Sequence, residues 1–361
     1  MRNFEEMIEK FMRPLSELEG GRATDSLYFL RRDGSFIFTE GYCHPEGGMY
    51  GKIIYYPKPG GDIDIFGREY GCTTKKMVGD ECIYIGHPEQ IRAHGEIDPS
   101  LDPDAPRPVF VEYEMEFPLA DCVGFFDPVH SLRACLDLYP WVGEGTRLAA
   151  EALGVPWEKL GLTGSLAYGR HEEGDDDLDL VIPGSIEDNR RVYRTIRSLS
   201  VLPEHRVIEF GRWWPMRLYR GGYLICPFFT YERWEDAPLR EFSVEVIRED
   251  VEASGVVADD THTNYMPPLL PLEDLTIEGK SADPLPLIIY DGALRGEYFN
   301  GDILKMKARL VEVSQLGESY PALLVTLWDN IKKIGEDPAR QSLPSAPVEA
   351  GGGRETRPEN R

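Results

Sequence analysis

The sequence predicts an α+β protein: a central mixed sheet with helices, flanked by a β-rich N-terminal domain and a small C-terminal β-barrel or sandwich. Three observations carry this expectation. The chain has 361 residues, room for two or three domains of roughly 100–200 residues each. Short alternating apolar runs separated by Gly, Pro and Asp clusters fill the segments before about 120 and after 238, as in β-rich folds. Helical periodicity concentrates between about 128 and 200. The expected boundaries are 1–140 for the N-terminal helix plus β-rich domain, 141–236 for the central domain, 237–335 for the C-terminal β domain, and 336–361 for a disordered tail.

Residues 1–20 read as a short amphipathic helix, with Ile8, Phe11 and Met12 on one face and Gly20-Gly21 ending it. The runs SLYFLRR, SFIFTEGY, GKIIYYP, CIYIG and PVFVEYEMEF then read as strands, and DPSLDPDAPRP (98–108) as a loop. DPVHSLRACLDLYP reads as a helix stopped by Pro140, and EGTRLAAEALGVP as a helix stopped by Gly154-Val155-Pro156. After Pro238, FSVEVI, ASGVVAD, LPLIIYDG, ILKMKARLVEV and YPALLVTLW supply the strands of a small barrel or sandwich. The tail, including GGGRETRPENR, lacks the apolar residues a packed core needs.

The apolar fraction of 42% and charged fraction of 28% are those of an ordinary soluble globular chain. The charge is not ordinary: 39 Lys+Arg face 63 Asp+Glu, a net of -24. Such an excess of acid disfavours non-specific binding to long nucleic acids, whose affinity comes largely from cations meeting phosphates, and disfavours anionic membranes. A phosphorylated small molecule held through metal ions stays compatible with it. No run of about 18 apolar residues exists to span a membrane, and the N-terminal stretch is too charged for a signal peptide. The six cysteines form no Cys-x-x-Cys pair and read as reduced thiols in a cytoplasmic protein.

The chemistry concentrates in residues 160–199. Leu160-Gly161-Leu162-Thr163 is a short strand running into Gly164-Ser165, where small residues let the backbone approach a ligand. A helix starting near Leu166 would aim free N–H groups and the Ser165 hydroxyl at a phosphate chain, with Gly169 allowing the segment to turn. Asp177-Leu178-Asp179-Leu180-Val181-Ile182 is a strand, so Asp177 and Asp179 share one face and Leu178 and Leu180 face the core. Two carboxylates so placed repel unless a cation joins them, and Mg²⁺ commonly takes one or two carboxylates plus substrate phosphates. Glu172, Glu173, Asp175 and Asp176 read as a solvated acidic turn. Pro183-Gly184 breaks the strand, and Ser185-Ile186-Glu187-Asp188 forms a capping box with Asp in the place of Glu or Gln. On the helix that follows, Arg190, Arg194 and Arg197 share a face that either meets a triphosphate or a nucleic-acid end, or is a solvated surface.

The ordered pair, Gly164-Ser165 with Gly169 followed by Asp177-Leu178-Asp179-Leu180, resembles the signature of the DNA polymerase beta-type nucleotidyltransferase superfamily over some 80–100 residues. The resemblance implies a nucleotidyltransferase-type central sheet. It also implies Mg²⁺-dependent (alternatively Mn²⁺-dependent) transfer of a nucleoside monophosphate from a nucleoside triphosphate to an acceptor: a small molecule, a protein or an RNA end. In those roles Gly164, Ser165, Gly169 and Arg194 bind the nucleotide, and Asp177 and Asp179 ligate metal. The family's third carboxylate has Glu209 as its nearest candidate, while Cys226 occupies the slot where an Asp is expected, and a soft thiolate suits Mg²⁺ poorly. The alternative is therefore a non-catalytic nucleotide-binding or nucleic-acid-associated module with a degenerate metal site. Asp259-Asp260-Thr261-His262 reads as a polar loop, Trp213-Trp214 as an aromatic pair packed between domains or stacking a base, and His44 as structural.

Overall fold

A computed structural model describes residues 3–78, 81–171, 177–209, 212–337, 339–340 and 354–355. The fold is mixed α+β with several sheets. Helix α1 (Phe4–Phe11) is followed by the strands Tyr28–Arg31 (β1), Phe36–Phe38 (β2), Gly48–Pro57 (β3), Ile63–Ile65 (β4), Arg68–Cys72 (β5), Lys75–Val78 (β6), Glu81–Tyr84 (β7), Met115–Pro118 (β8) and Cys122–Phe126 (β9). They form a sheet in the order β4-β5-β3-β2-β1-β9, with β8 on β3, and a separate β6–β7 hairpin. Helix α2 (His87–Ile97) lies in a stretch the sequence reading left without an element; Pro88 opens its first turn.

Helices α3 (Pro128–Leu136) and α4 (Pro140–Leu153) lead into the central sheet. Pro140 starts α4 rather than stopping α3, because its fixed φ and missing N–H suit a first turn. The central strands are Gly161–Leu162 (β10), Asp177–Gly184 (β11), Arg206–Glu209 (β12), Arg212–Arg220 (β13) and Tyr223–Tyr231 (β14), with α5 (Ile186–Ser200) following β11. Their order is β10-β11-β14-β13-β12, with β11 and β14 parallel and Asp179 directly opposite Cys226. β11 runs through Pro183-Gly184 instead of ending there. Its neighbour β10 pairs only as far as Val181, so no ladder bond is lost at the proline. Ser185 caps α5 as expected, its hydroxyl accepting from the Asp188 N–H at 3.1 Å.

The C-terminal strands Phe242–Val257 (β15), Leu269–Ile277 (β16), Lys280–Ser281 (β17), Leu285–Ile289 (β18), Asp302–Gln315 (β19), Glu318–Val325 (β20) and Ile331–Glu336 (β21) close on themselves. Pairings run β15-β16-β18-β20-β19 and return from β19 to β15, a closed ring. Where a barrel or sandwich was open from sequence, the pairing is that of a small barrel. The stretch from 336 is not uniformly without structure: Glu336 ends β21, Arg340 pairs with Glu273 at 2.7 Å, and Arg354–Glu355 (β22) adds to β12 in parallel. Residues 338, 341–353 and 356–361 lie outside the described residues.

One apolar core unites the N-terminal and central parts. It gathers Phe11 of α1, Phe36 and Phe126 of the first sheet, Val142 and Ala149 of α4, Leu178, Leu180 and Ile182 of β11, and Val192 and Ile196 of α5. Period-two alternation therefore turns Leu178 and Leu180 toward the helices and Asp177 and Asp179 to the opposite face. Among the described residues no helix is long and apolar enough to cross a membrane.

Candidate metal centre

The strand β10 delivers the chain to Gly164 through Thr163, whose N–H donates to the Asp179 carbonyl at 2.9 Å. Gly164 has φ +63°, and a Cβ built on it would lie 2.0 Å from Asp179 Oδ2. Only glycine fits where the turn meets that carboxylate. The Gly-Ser turn and the Asp-x-Asp strand are thus in contact, as the sequence order suggested. The segment Gly164–Tyr168 is, however, a five-residue 3-10 turn rather than the start of an α-helix. Its few peptide dipoles give Ser165 no substantial helix end to work with.

Asp177, Asp179 and Cys226 each bring a ligand atom within 4.8 Å of the other two. Asp177 opens to solvent, Asp179 is half-buried, and Cys226 is buried. The thiol donates to Asp177 Oδ1 at 3.3 Å. No side chain among the described residues makes an ion pair or hydrogen bond to the Asp179 carboxylate. Protein packed around the carboxyl, reinforced by the Asp179 charge, pushes Asp177 up to about 7 against the pull of Arg217. Burial raises Asp179 as well, outweighing Arg217 and Lys75. Burial, with the Asp177 charge behind it, pushes the Cys226 thiol well above its usual range.

Glu209 stands apart from this triad. Its carboxylate is ion-paired to Arg217, and it contributes no ligand atom to the cluster. The guanidinium of Arg217 lies 4.3 Å from the Trp214 ring centroid. The charges of Cys226, Glu209, Asp177 and Asp179 all favour its cationic form. Arg217 is the functional candidate that sequence reasoning missed. The sequence reading assigned no role to this arginine, although Met216 and Leu218, buried at alternate positions, place Arg217 on the acidic face. Lys75, on the β6–β7 hairpin, was missed for another reason: only the tertiary fold brings its charge to Asp179.

Two expected nucleotide-binding residues lie elsewhere. Gly169 has φ +77°, and a Cβ there would meet Phe11 Cε2 at 2.4 Å; its carbonyl accepts the Tyr139 hydroxyl at 2.7 Å. It fits the turn against α1 instead of facing the carboxylates. Arg194 is exposed on α5, which packs on the Leu178 and Leu180 face, away from Asp177 and Asp179. Its neighbours on that helix have other partners. Arg190 pairs with Asp260 at 3.4 Å, and Arg197 is buried between the rings of Trp213 and Phe299 at 4.6 and 4.2 Å. Trp213 is anchored through its indole N–H to the Ser200 carbonyl at 3.2 Å. Glu172, Glu173, Asp175 and Asp176 lie outside the described residues.

The N-terminal sheet forms one wall. The Thr163 hydroxyl donates to the Ser26 carbonyl at 3.1 Å, and the Tyr28 ring packs edge-on to Tyr168 at 5.9 Å. Both the Asp179 charge and burial raise the Tyr28 phenol, which keeps that wall neutral.

The donor set fits a divalent cation: two carboxylates and a thiol on one face, with Gly164 leaving the space a side chain would fill. It does not fit Mg²⁺ well, since Mg²⁺ demands hard oxygen ligands and Cys226 offers sulfur. Comparison with protein-family models, curated proteins and solved structures gave no match to this chain.

Proposed function

We propose that this chain is a nucleotidyltransferase, moving a nucleoside monophosphate from a nucleoside triphosphate to an acceptor hydroxyl or similar group. The observation that carries the reading is the contact between the Gly164-Ser165 turn and the Asp179 carboxylate. That contact supports the reading because backbone able to receive a phosphate lies against carboxylates able to hold a cation, the juxtaposition such a transfer needs. Asp177 and Asp179 are the residues that would hold a divalent cation, which in this chemistry neutralises the triphosphate and the leaving pyrophosphate.

The chain's own residues have distinct parts in this reading. With no Cβ at Gly164, the Asp179 carboxylate sits against the turn whose backbone would receive the phosphate chain. Arg217, fixed on Trp214 and Glu209, offers a cation on the same face, and the Lys75 charge on the β6–β7 hairpin also acts on Asp179. Both favour an entering anion. The N-terminal sheet and the C-terminal barrel flank the centre and supply the surfaces that choose the acceptor.

Incubation of the full chain with each α-labelled nucleoside triphosphate and a divalent cation, with RNA ends, proteins and small alcohols as acceptors, tests the reading. Label transfer with release of pyrophosphate is expected, and Asp179→Asn should abolish it. Transfer unaffected by Asp179→Asn, or none to any acceptor, overturns it. A second reading is favoured by one observation, the Glu209–Arg217 ion pair, which leaves no third carboxylate beside the triad among the described residues. In that reading the chain binds nucleotide without turnover. Protection of the fold by a triphosphate, with no pyrophosphate released, would be its signature.

A further inference from the structure

We infer that the triad Asp177, Asp179 and Cys226 is built for a borderline transition-metal cation of the Zn²⁺ and Co²⁺ class, held through the Cys226 sulfur, and not for Mg²⁺. The inference rests on the proposed function only in using the same two carboxylates, and it does not require that any nucleotide be transferred.

The register makes Cys226 a structural member of the centre. Asp179 and Cys226 face each other across parallel strands, and Asp177 lies two residues away on the same face. Zn²⁺ bonds are about 2.3 Å to sulfur and about 2.0–2.2 Å to carboxylate oxygen, so tetrahedral donors stand roughly 3.3–3.7 Å apart. The ligand atoms here lie within 4.8 Å of one another, so the side chains close by up to about 1 Å to seat such an ion. Three protein ligands with a fourth position open is the arrangement of catalytic zinc sites.

The local groups fit the same assignment. Among the described residues no cation is bonded to Asp179, and Asp177 has only the thiol. Glu209, a nearby carboxylate among the described residues that would harden the donor set, is held by Arg217. Hard and soft preferences then decide the ion. A carboxylate, carboxylate and thiolate set ranks Co²⁺ and Zn²⁺ above Mn²⁺, and all of them above Mg²⁺. When the sulfur–metal bond forms, the thiol proton leaves to solvent, so uptake of the ion releases a proton.

Titration of the full, metal-free chain with Co²⁺ tests the assignment by absorption. One equivalent should produce the near-ultraviolet thiolate-to-cobalt charge-transfer band together with the visible ligand-field bands. Excess Mg²⁺ should not displace the ion, whereas Zn²⁺ should. In Cys226→Ser the charge-transfer band should vanish and Co²⁺ affinity fall by at least about tenfold, the loss that even an outer-sphere partner's removal causes. In Cys72→Ser, which alters a half-buried thiol outside the triad, the band should persist. Cys226→Asp should reverse the preference, raising Mg²⁺ affinity at the expense of Co²⁺. The assignment is overturned if Co²⁺ binds without the charge-transfer band, if Cys72→Ser removes that band, or if Mg²⁺ competes equally with Co²⁺ in the unaltered chain. Nucleotide transfer is absent from every readout. Cobalt bound through sulfur without turnover would sink the proposed function alone, and turnover with Mg²⁺ but no sulfur band would sink this assignment alone.

Discussion

The cluster around Asp25, Glu40 and Glu114 and the cluster at Asp177 and Asp179 both draw carboxylates out of bulk water, and they compensate them differently. At the joint between the first sheet and the barrel, Arg295 takes Asp25 through two hydrogen bonds of 2.7 and 2.8 Å. Lys52 takes Glu40 at 2.8 Å. The fit is so close that a Cβ on Gly292 would lie 1.9 Å from Glu40 Oε1. At the metal centre no cation among the described residues is bonded to Asp179, and its strand partner is a thiol. Self-compensated acid welds elements together. Acid left uncompensated, on an open face beside a glycine turn, is placed to take its cation from outside.

The sharpest way to break the comparison is Arg295→Ala. Removing one partner of a buried pair strands the other charge, at a cost of about 3–5 kcal/mol. The expected result is a large fall in thermal midpoint. By contrast, Asp179→Asn in metal-free protein should leave that midpoint unchanged or raised, because it removes a repelling, desolvated charge. If both variants lose equal stability, the two clusters are not different in kind.

Next in size comes a pH effect confined to the joint. The Glu114 carboxyl is buried, and its Oε2 has no hydrogen-bond partner. Burial pushes it up to about 8, against the attraction of Lys52 and Arg295, with the charges of Glu40 and Asp25 adding to the rise. The unfolded chain ionises this group near 4.5, so between about 4.5 and 8 the native state holds a proton that the unfolded state has released. Stability from this group is therefore full below about 4.5 and is lost as pH rises to about 8. Glu114→Gln, which keeps the shape and cannot ionise, should flatten that decline and exceed the unaltered chain in thermal midpoint at pH 8. Parallel midpoint-against-pH curves for the two proteins would contradict it.

Gly164→Ala is a smaller and more local perturbation. A side chain at φ +63° is strained by roughly 1–2 kcal/mol, and the new methyl collides with the Asp179 carboxylate. Cobalt uptake and triphosphate protection should both drop more than thermal stability does. Equal loss in all three would mean that the glycine serves folding alone.

These expectations also mark what was legible before the fold was known. The Gly-Ser turn and the Asp-x-Asp strand could be read because local spacing sets their chemistry: alternation on a strand fixes which side chains share a face. The Ser185 cap was legible for the same reason. Arg217 was not, since its place beside the carboxylates comes from the pairing of β13 with β14, which no local spacing encodes. Lys75 was not, since it reaches Asp179 from a hairpin about 100 residues away in sequence. The ion pair of Glu209 with Arg217 was not legible either, because sequence position carries no information about it. The joint at Asp25 and Arg295 was invisible because its partners are 270 positions apart.

Arg194 provides the smallest expected effect and the cleanest control. Spacing alone made it a phosphate ligand, but α5 covers the Leu178 and Leu180 face, so the sheet itself separates it from Asp177 and Asp179. It lines an open basic groove with Arg190 and Arg191 on the outer side of the helix. Arg194→Ala should therefore change stability by no more than about 0.5 kcal/mol, and should leave cobalt binding and triphosphate protection where they were. The equivalent change at Arg217, whose charge acts on both carboxylates and on Cys226, should alter cation affinity directly. It removes a competing positive charge, so affinity for the metal should rise even as protection by triphosphate falls. Opposite signs for the two ligands are what a same-face cation requires. If Arg194→Ala instead weakened triphosphate binding, the far side of the helix would be the nucleotide site, and the acidic cleft would need another occupant.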